Sequence, residues 1–245
     1  MRAGSVDASG PLRRLGWRAQ DYAYVLARQA VAPRLRRAGP PVAAARQERA
    51  PVVLVPGVYE SWTFLRPLGA VLAAAGHRVH VLATLGYNRG PIPDAARALR
   101  DLVVAEGLAG AVVVAHSKGG LIGKLAMTQD VDGRIAGMVA IATPFAGSRY
   151  ARWVPLRAVR AFVSTDAALL ALAAERAVNA RIASVYSRFD PHIPDCCALV
   201  GAAANVEVAT PGHFRLLADP RLPGIVLEQV ARLSVRPTPG APAAG

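Results

Sequence analysis

Cysteine is scarce in this chain, and long apolar runs are missing from it. The two cysteines, Cys196 and Cys197, are adjacent. Neighbouring cysteines rarely bridge each other because the ring is strained, so we read them as thiols and expect no disulfide framework. No uninterrupted apolar run reaches the ~18 residues that a membrane-spanning helix needs. These absences argue against a disulfide-stapled scaffold and against a transmembrane protein.

Lysine is equally scarce, since Lys118 and Lys124 are the only lysines among 29 basic residues. Against 16 acidic residues these give a formal net charge of +13, and residues 1–50 carry more than half of it. Such a charge invites a nucleic-acid reading, but no zinc-finger, RNP or glycine-rich phosphate motif accompanies the arginines. We therefore expect no nucleic-acid partner. The oligomeric state stays open.

An export signal is also not evident. The pair Arg13-Arg14 superficially resembles a twin-arginine signal, but the following residues 17–21 are too polar for its apolar core. We expect a cytoplasmic protein, with peripheral membrane contact through residues 12–37 left open.

The first 50 residues predict a basic helix followed by a linker. Leu15, Ala19, Tyr22, Leu26 and Ala30 fall on one apolar stripe. A basic amphipathic helix can lie on an anionic membrane or pack its stripe on the parent domain, and we favour packing. Pro33 is expected to end or kink this helix, and residues 38–50 form the linker.

Residues 51–235 predict one α/β domain. Short apolar, β-branched runs alternate with helical patterns, which indicates a mostly parallel, doubly wound sheet with helices on both faces. Residues 149–180 interrupt the alternation with two helical pieces. They form either a small cap over the site or ordinary crossover helices. Residues 236–245 lack apolar periodicity and are expected to be disordered.

The most informative stretch is the turn that follows the apolar strand at 111–115. Ser117 stands between Ala115 and Gly119, with a helical pattern after it. Small residues two places before and after a serine, between a strand and a helix, are typical of a nucleophile elbow. The alternative is an ordinary strand-to-helix turn with Ser117 as the helix N-cap.

A serine nucleophile needs a base and a group that orients the base. Asp190 and His213 each follow a predicted strand, so the order Ser117, Asp190, His213 matches the α/β-hydrolase topology. Asp195 is the alternative acid. The remaining candidates fit less well. His77 and His80 precede the elbow, which is the wrong chain order, and His116 stands beside the serine. His192 would compete with Asp190 for the same loop, and Asp166 lies in the presumed cap.

The developing oxyanion needs two donors. The Lys118 N–H is placed by the elbow, and the turn after the first domain strand offers the Val58 N–H, where Gly57 lets the backbone approach the substrate. Tyr59 and Trp62 could line the entrance, although Trp62 is a typical core residue.

Taken together, the motifs resemble α/β-hydrolases of the lipase/esterase group, in particular small bacterial lipases whose elbow reads Ala-His-Ser-x-Gly-Gly, here 115–120. Further matches lie at 55–58, 143–148, 185–190 and 212–217. The resemblance implies hydrolysis of carboxylic esters through an acyl-enzyme, without a metal or organic cofactor. It implies a small-molecule or lipid ester as the substrate. Tyr59 and Phe145 are the candidate substrate contacts.

The chain departs from that pattern at three places. Pro56 stands where such lipases usually have histidine, and Lys118 replaces the usual apolar residue after the serine. A cationic side chain there would favour a polar or anionic acyl partner. Residues 1–50 lie outside the pattern altogether. A thioesterase or acyltransferase with the same triad, and a non-catalytic module of the same fold, remain as alternatives.

Overall fold

A computed structural model describes residues 10–41, 49–153, 156–160, 162–194 and 197–235. Its six strands are β1 (Arg49–Val55), β2 (His77–Val81), β3 (Ala111–His116), β4 (Ile135–Ile141), β5 (Ile182–Ser187) and β6 (Ala204–Val208). Its α-helices are α1 (Pro11–Arg37), α2 (Arg66–Ala74), α3 (Ile92–Ala105), α4 (Lys118–Thr128), α5 (Arg157–Arg160), α6 (Ala167–Ala174) and α7 (Leu222–Ser234). The expected tail at 236–245 and most of the expected linker lie outside the described residues.

The strands form one parallel sheet in the order β2-β1-β3-β4-β5-β6. Alternate residues of β1 face opposite sides of it: Val53 and Val55 pack with α3 and α4, and Val52 and Leu54 pack with α2 and α7. Burial on both faces explains why the strands read as continuous apolar runs. The predicted doubly wound sheet with helices on both faces is confirmed.

The order of the strands reverses between β1 and β3. Binding sites of open α/β sheets form at the carboxyl ends of strands beside such a reversal. The loop after β1 and the elbow after β3 both end there. The topology therefore brings Gly57 and Ser117 to the same edge.

Helix α1 packs on the domain, but with the face opposite to the predicted one. Asp21 and Ala32 are buried, whereas Leu15 and Leu26 of the apolar stripe are 63% and 70% exposed. The expectation that the stripe packs inward was wrong because hydrogen bonds of the polar face hold the helix. Pro33 does not end α1, which continues to Arg37.

The described part of the segment between β4 and β5 contains only short helices. Tyr150, Ala151, Val159 and Phe162 of this segment line a cavity above Ser117. The segment thus lies beside the carboxyl ends of the strands, and we refer to it as the cap segment.

Candidate active site

Ser117 sits in a strained turn between β3 and α4. Its φ of 53° lies in the left-handed region that side chains with a Cβ rarely adopt. Its N–H donates to the Ile141 carbonyl at 2.8 Å, which fixes the turn against β4. A Cβ on Gly119 would come within 2.3 Å of the Val55 carbonyl oxygen. The small residue is therefore required because α4 starts against the end of β1.

His213 lies within hydrogen-bonding distance of Ser117 and of Asp190. Its Nε2 is 2.9 Å from Ser117 Oγ and its Nδ1 is 2.7 Å from Asp190 Oδ2. An ionised Asp190 accepts the Nδ1 proton, which leaves Nε2 as the acceptor for the serine hydroxyl. The three predicted residues are thus brought together in the order serine, histidine, aspartate.

Asp190 is oriented by its own loop. Its Oδ1 accepts the backbone N–H groups of His192 at 2.8 Å and Ile193 at 2.9 Å. Burial alone would raise the pKa of Asp190, but its interactions with His213 and the His192 N–H outweigh burial and lower that pKa. The alternative acid, Asp195, lies outside the described residues.

The backbone of His213 is held from two sides by residues that the sequence analysis did not select. Its N–H donates to Asp21 Oδ2 at 3.2 Å, and its carbonyl accepts from His116 Nε2 at 3.2 Å. Asp21 belongs to α1 and is fully buried. Its Oδ1 also accepts the N–H groups of Phe214 and Arg215, both at 2.8 Å.

Asp21 has an ionised carboxylate in these surroundings. Burial opposes ionisation, but the His192 imidazole, whose Nε2 lies 3.5 Å from Oδ2, the N–H groups of Arg215 and Phe214, and the charge of His213 together lower the pKa of Asp21. The sequence did carry a signal for this residue, because Asp21 is the only acid in a helix with seven arginines. Its partners, about 190 positions away, could not be read from the sequence.

His116 is buried beside the site, as part of a link to Glu60. Its Nδ1 lies 2.7 Å from Glu60 Oε1, and the other oxygen of Glu60 accepts the Gly57 N–H at 2.8 Å. Burial disfavours a charged imidazole, but Glu60 outweighs it and raises the pKa of His116. The Gly57 N–H is engaged by this carboxylate, and the next residue of the loop after β1, Val58, lines the cavity.

A cavity of about 790 Å³ opens above Ser117 and His213. Helix α1 forms one side of it, through Tyr22, Val25 and Gln29. The other sides come from the loop after β1, the segment between β4 and β5, and the loops of the aspartate and histidine: Val58, Tyr59, Glu60, Phe64, Pro144, Ser148, Tyr150, Ala151, Leu156, Val159, Phe162, Pro191, His192, Ile193 and Phe214. Arg18 stands at its rim as an exposed cation.

Two predicted features of the site lie elsewhere. Phe145 does not line the cavity but is buried in the core, 6.0 Å from Lys124 Nζ. The Lys118 side chain does not reach the substrate region either. Its Nζ donates to the carbonyls of Asn88 at 2.9 Å and Gly90 at 2.5 Å, and burial lowers its pKa to about 8. The expected preference for an anionic acyl partner therefore loses its basis.

The other predicted contacts divide between cavity and core. Tyr59 lines the cavity with φ at 59°, and Gln29 of α1 donates to its carbonyl at 2.7 Å. Trp62 is buried in a short turn before α2. Within the described residues, no group of three or more His, Cys, Asp or Glu side chains is arranged to hold a metal ion, and no helix of that part combines the length and apolarity needed to cross a membrane.

Solved structures with the same fold include several lipases. A monoacylglycerol lipase of Paleococcus ferrophilus superposes with a TM-score of 0.55 at 16% identity, over 76% of this chain and 96% of that one. A mature lipase of Bacillus licheniformis gives 0.62 at 14% identity, over 78% and 96%. An α/β-hydrolase fold protein of Burkholderia ambifaria gives 0.57 at 17% identity, over 75% and 92%.

At these identities, structural likeness shows the fold alone. A comparison of the sequence with curated proteins found no match. The family model described as "Alpha/beta hydrolase family" matches residues 52–240, which is most of the chain and includes the elbow and the loops of Asp190 and His213. The chain therefore belongs to the alpha/beta hydrolase family.

Proposed function

We propose that this protein is a serine hydrolase that cleaves carboxylic esters through an acyl-enzyme. The observation that carries the proposal is the hydrogen-bonded series Ser117, His213, Asp190 at the base of a large cavity lined mainly by carbon-rich side chains. Such a cavity suits an acyl chain, and the series suits nucleophilic attack on its carbonyl carbon.

In the first half of the proposed reaction, Ser117 Oγ attacks the ester carbonyl while His213 Nε2 takes the hydroxyl proton. Asp190 stabilises the imidazolium that forms. The carbonyl oxygen becomes an oxyanion that accepts hydrogen bonds from the Val58 and Lys118 N–H groups. When the intermediate collapses, the alkoxide leaves with the proton from His213, and the acyl group stays on Ser117.

In the second half, water replaces the alcohol. His213 takes a proton from water, and the hydroxide adds to the acyl carbon. The second intermediate collapses to release the carboxylic acid and to return the proton to Ser117. The first and second halves use the same donors, so one oxyanion site serves both.

The test is turnover of p-nitrophenyl esters from C2 to C16 by the wild type and by Ser117→Ala. We expect a burst of p-nitrophenol from the wild type and a loss of about 10⁴-fold or more in the variant. A fluorophosphonate probe is expected to label the wild type at Ser117 only. Unchanged turnover in Ser117→Ala would contradict the proposal, and turnover confined to acyl thioesters would contradict the choice of oxygen esters.

A further inference from the structure

The outward face of α1 is an apolar surface that the described residues of the protein leave uncovered. Leu12, Leu15, Tyr22 and Leu26 are 83%, 63%, 54% and 70% exposed. Their spacing of three, seven and four residues puts them on one side of the helix. We call these four residues the α1 ridge. Single exposed leucines are common, but a continuous row of large side chains marks an interaction surface.

The ridge is a fixed surface of the folded protein. Asp21 on the opposite face accepts three backbone N–H groups from residues 213–215. Gln29 of the same helix donates to the Tyr59 carbonyl at 2.7 Å. Since these bonds set the rotation of α1, the helix cannot turn its apolar row inward without unbinding the loop of His213.

The charges beside the ridge are positive. Arg18, Arg34 and Arg37 are exposed and border or extend it at helical spacing. Asp21 is the only acid of the helix and is fully buried, so it does not offset these charges at the surface. Leucines and tyrosine flanked by arginines form the pattern of a helix that lies in the headgroup region of an anionic bilayer.

The mouth of the cavity opens beside the ridge. Tyr22 and Arg18 belong both to this region of α1 and to the cavity lining. On the cap side, Tyr150 and Leu156 also line the cavity and are 42% and 46% exposed, and the nearby Trp153 is 74% exposed. Aromatic rings with a polar edge are favoured at membrane–water interfaces.

We infer that the α1 ridge docks this protein on an anionic lipid surface, with the mouth of the cavity facing the bilayer. A bilayer fits better than a protein partner because the ridge lies on a single convex helix with positive flanks. Immersion of this helix in the headgroup region to the depth of one side chain would cover the ridge. Binding requires only this surface. Delivery of an ester from the bilayer to Ser117 rests in addition on the proposed function.

The binding test is flotation of the full chain with vesicles, in the Ser117→Ala background so that no lipid is consumed. Vesicles are made of phosphatidylcholine alone or with one third phosphatidylglycerol. We expect binding to the mixed vesicles, at least tenfold weaker binding to phosphatidylcholine, and release of the bound protein at high salt.

Two variants with matched chemistry identify the surface. Leu15→Gln combined with Leu26→Gln is expected to weaken binding to the mixed vesicles about tenfold or more, because both leucines leave the apolar layer. Val104→Gln combined with Val131→Gln changes two exposed residues at the far edge of the sheet and is expected to bind like the parent. Circular dichroism checks that each variant is folded.

Equal binding by both double variants, or no preference for anionic vesicles, would overturn the inference. Light scattering is run in parallel: if the leucine variant turns a dimer into a monomer while vesicle binding stays unchanged, a second copy of the chain covers the ridge instead. With Ser117 intact, the same two leucine substitutions are expected to leave the hydrolysis of a monomeric, water-soluble ester unchanged. Absence of that hydrolysis in the wild type would count against the proposed function and leave the flotation result standing.

Discussion

At the scale of single residues, the unusual feature of this site is a carboxylate from outside the triad. Asp21 and His116 hold the two backbone groups of His213, one at the N–H and one at the carbonyl. Both are positioning residues, because neither touches the reacting atoms. Their effect is to fix where His213 Nε2 stands relative to Ser117, and displacements of about 1 Å at such a point can cost about 10²-fold in rate.

Replacing Asp21 by asparagine is expected to lower kcat about 10- to 100-fold with little change in KM. The asparagine amide keeps the shape of the carboxylate but loses its charge. Only one of its two end atoms is an oxygen, so it cannot accept N–H groups of residues 213–215 at both ends unless the loop reorients. The checks are steady-state kinetics on a soluble ester and the labelling rate of Ser117 with a fluorophosphonate. Asp130→Asn is the control. Asp130 accepts the Ile135 N–H at 2.7 Å, and this hydrogen bond lies away from the site. A loss of stability in Asp21→Asn with kcat and labelling unchanged would reduce Asp21 to a structural residue.

Lys118 gives a pH prediction. Its pKa is about 8 in the folded protein and 10.5 in the unfolded chain. At a pH between these two pKa values the unfolded chain binds more protons than the folded protein. The free energy of unfolding therefore rises with pH, by up to about 3 kcal/mol. Lys118→Met keeps the backbone N–H and removes the titrating group. The two proteins are compared by urea unfolding from pH 7.5 to 10.5. The free energy of unfolding of the wild type is expected to rise with pH relative to that of Lys118→Met, and parallel curves would refute the lowered pKa of Lys118.

At the scale of elements, the site depends on how closely β1, β3 and α4 approach one another. Gly119 permits that approach, since a Cβ there would meet backbone atoms of residues 55 and 56. These backbone atoms cannot move away from an added Cβ as easily as the end of a flexible side chain can. The proposed oxyanion donors, at Val58 and Lys118, lie on the two segments that the clash would separate.

Gly119→Ala is therefore expected to lower the free energy of unfolding by at least ~1–3 kcal/mol and to reduce kcat strongly. Gly224→Ala in the first turn of α7 is the matched control, because a Cβ at that position would have no neighbouring atom within 4 Å. That change is expected to be neutral or stabilising by up to ~1 kcal/mol. Chemical denaturation and ester kinetics check both, and equal effects of the two substitutions would contradict the packing argument.

The sheet and the proximity of Ser117, His213 and Asp190 could be predicted from sequence because each rests on local patterns. Apolar runs mark the buried strands, and Ser117, Asp190 and His213 each follow one. The orientation of α1 could not be predicted in this way. Its apolar stripe predicts burial of one face, whereas bonds to residues 213–215 bury the other. The direction of the Lys118 side chain depends likewise on a distant loop, in which Asn88 has φ at 50°.

At the scale of the whole molecule, the cavity is built from parts that are far apart in the chain. Helix α1 closes one side, the cap segment another, and the strand loops the base. The cavity volume of about 790 Å³ lies within the range of sites that enclose a drug-sized ligand. Helix α1 is therefore part of the proposed acyl site and not an appendage to it.

Val25→Phe narrows this site from the α1 side, because Val25 lines the cavity. We expect kcat/KM for C12 to C16 esters to fall about tenfold relative to C2 to C4 esters, since the longer chains need the lost space. Ala23→Phe puts the same ring on the exposed side of α1 and is expected to leave the ratio unchanged. A uniform loss over all chain lengths in Val25→Phe would show that α1 does not shape the acyl site.

The bonds of Asp21 also impose an order on biosynthesis. Its partners Phe214 and Arg215 follow it by 193 and 194 residues, so a ribosome has made almost the whole domain before the first helix can be locked in place. Contacts of such large sequence separation form late, after their loop-closure entropy has been overcome. A nascent chain that ends before residue 213 lacks both the backbone partners of Asp21 and the proposed catalytic base. The histidine loop must therefore be complete before helix α1 can make its final contacts.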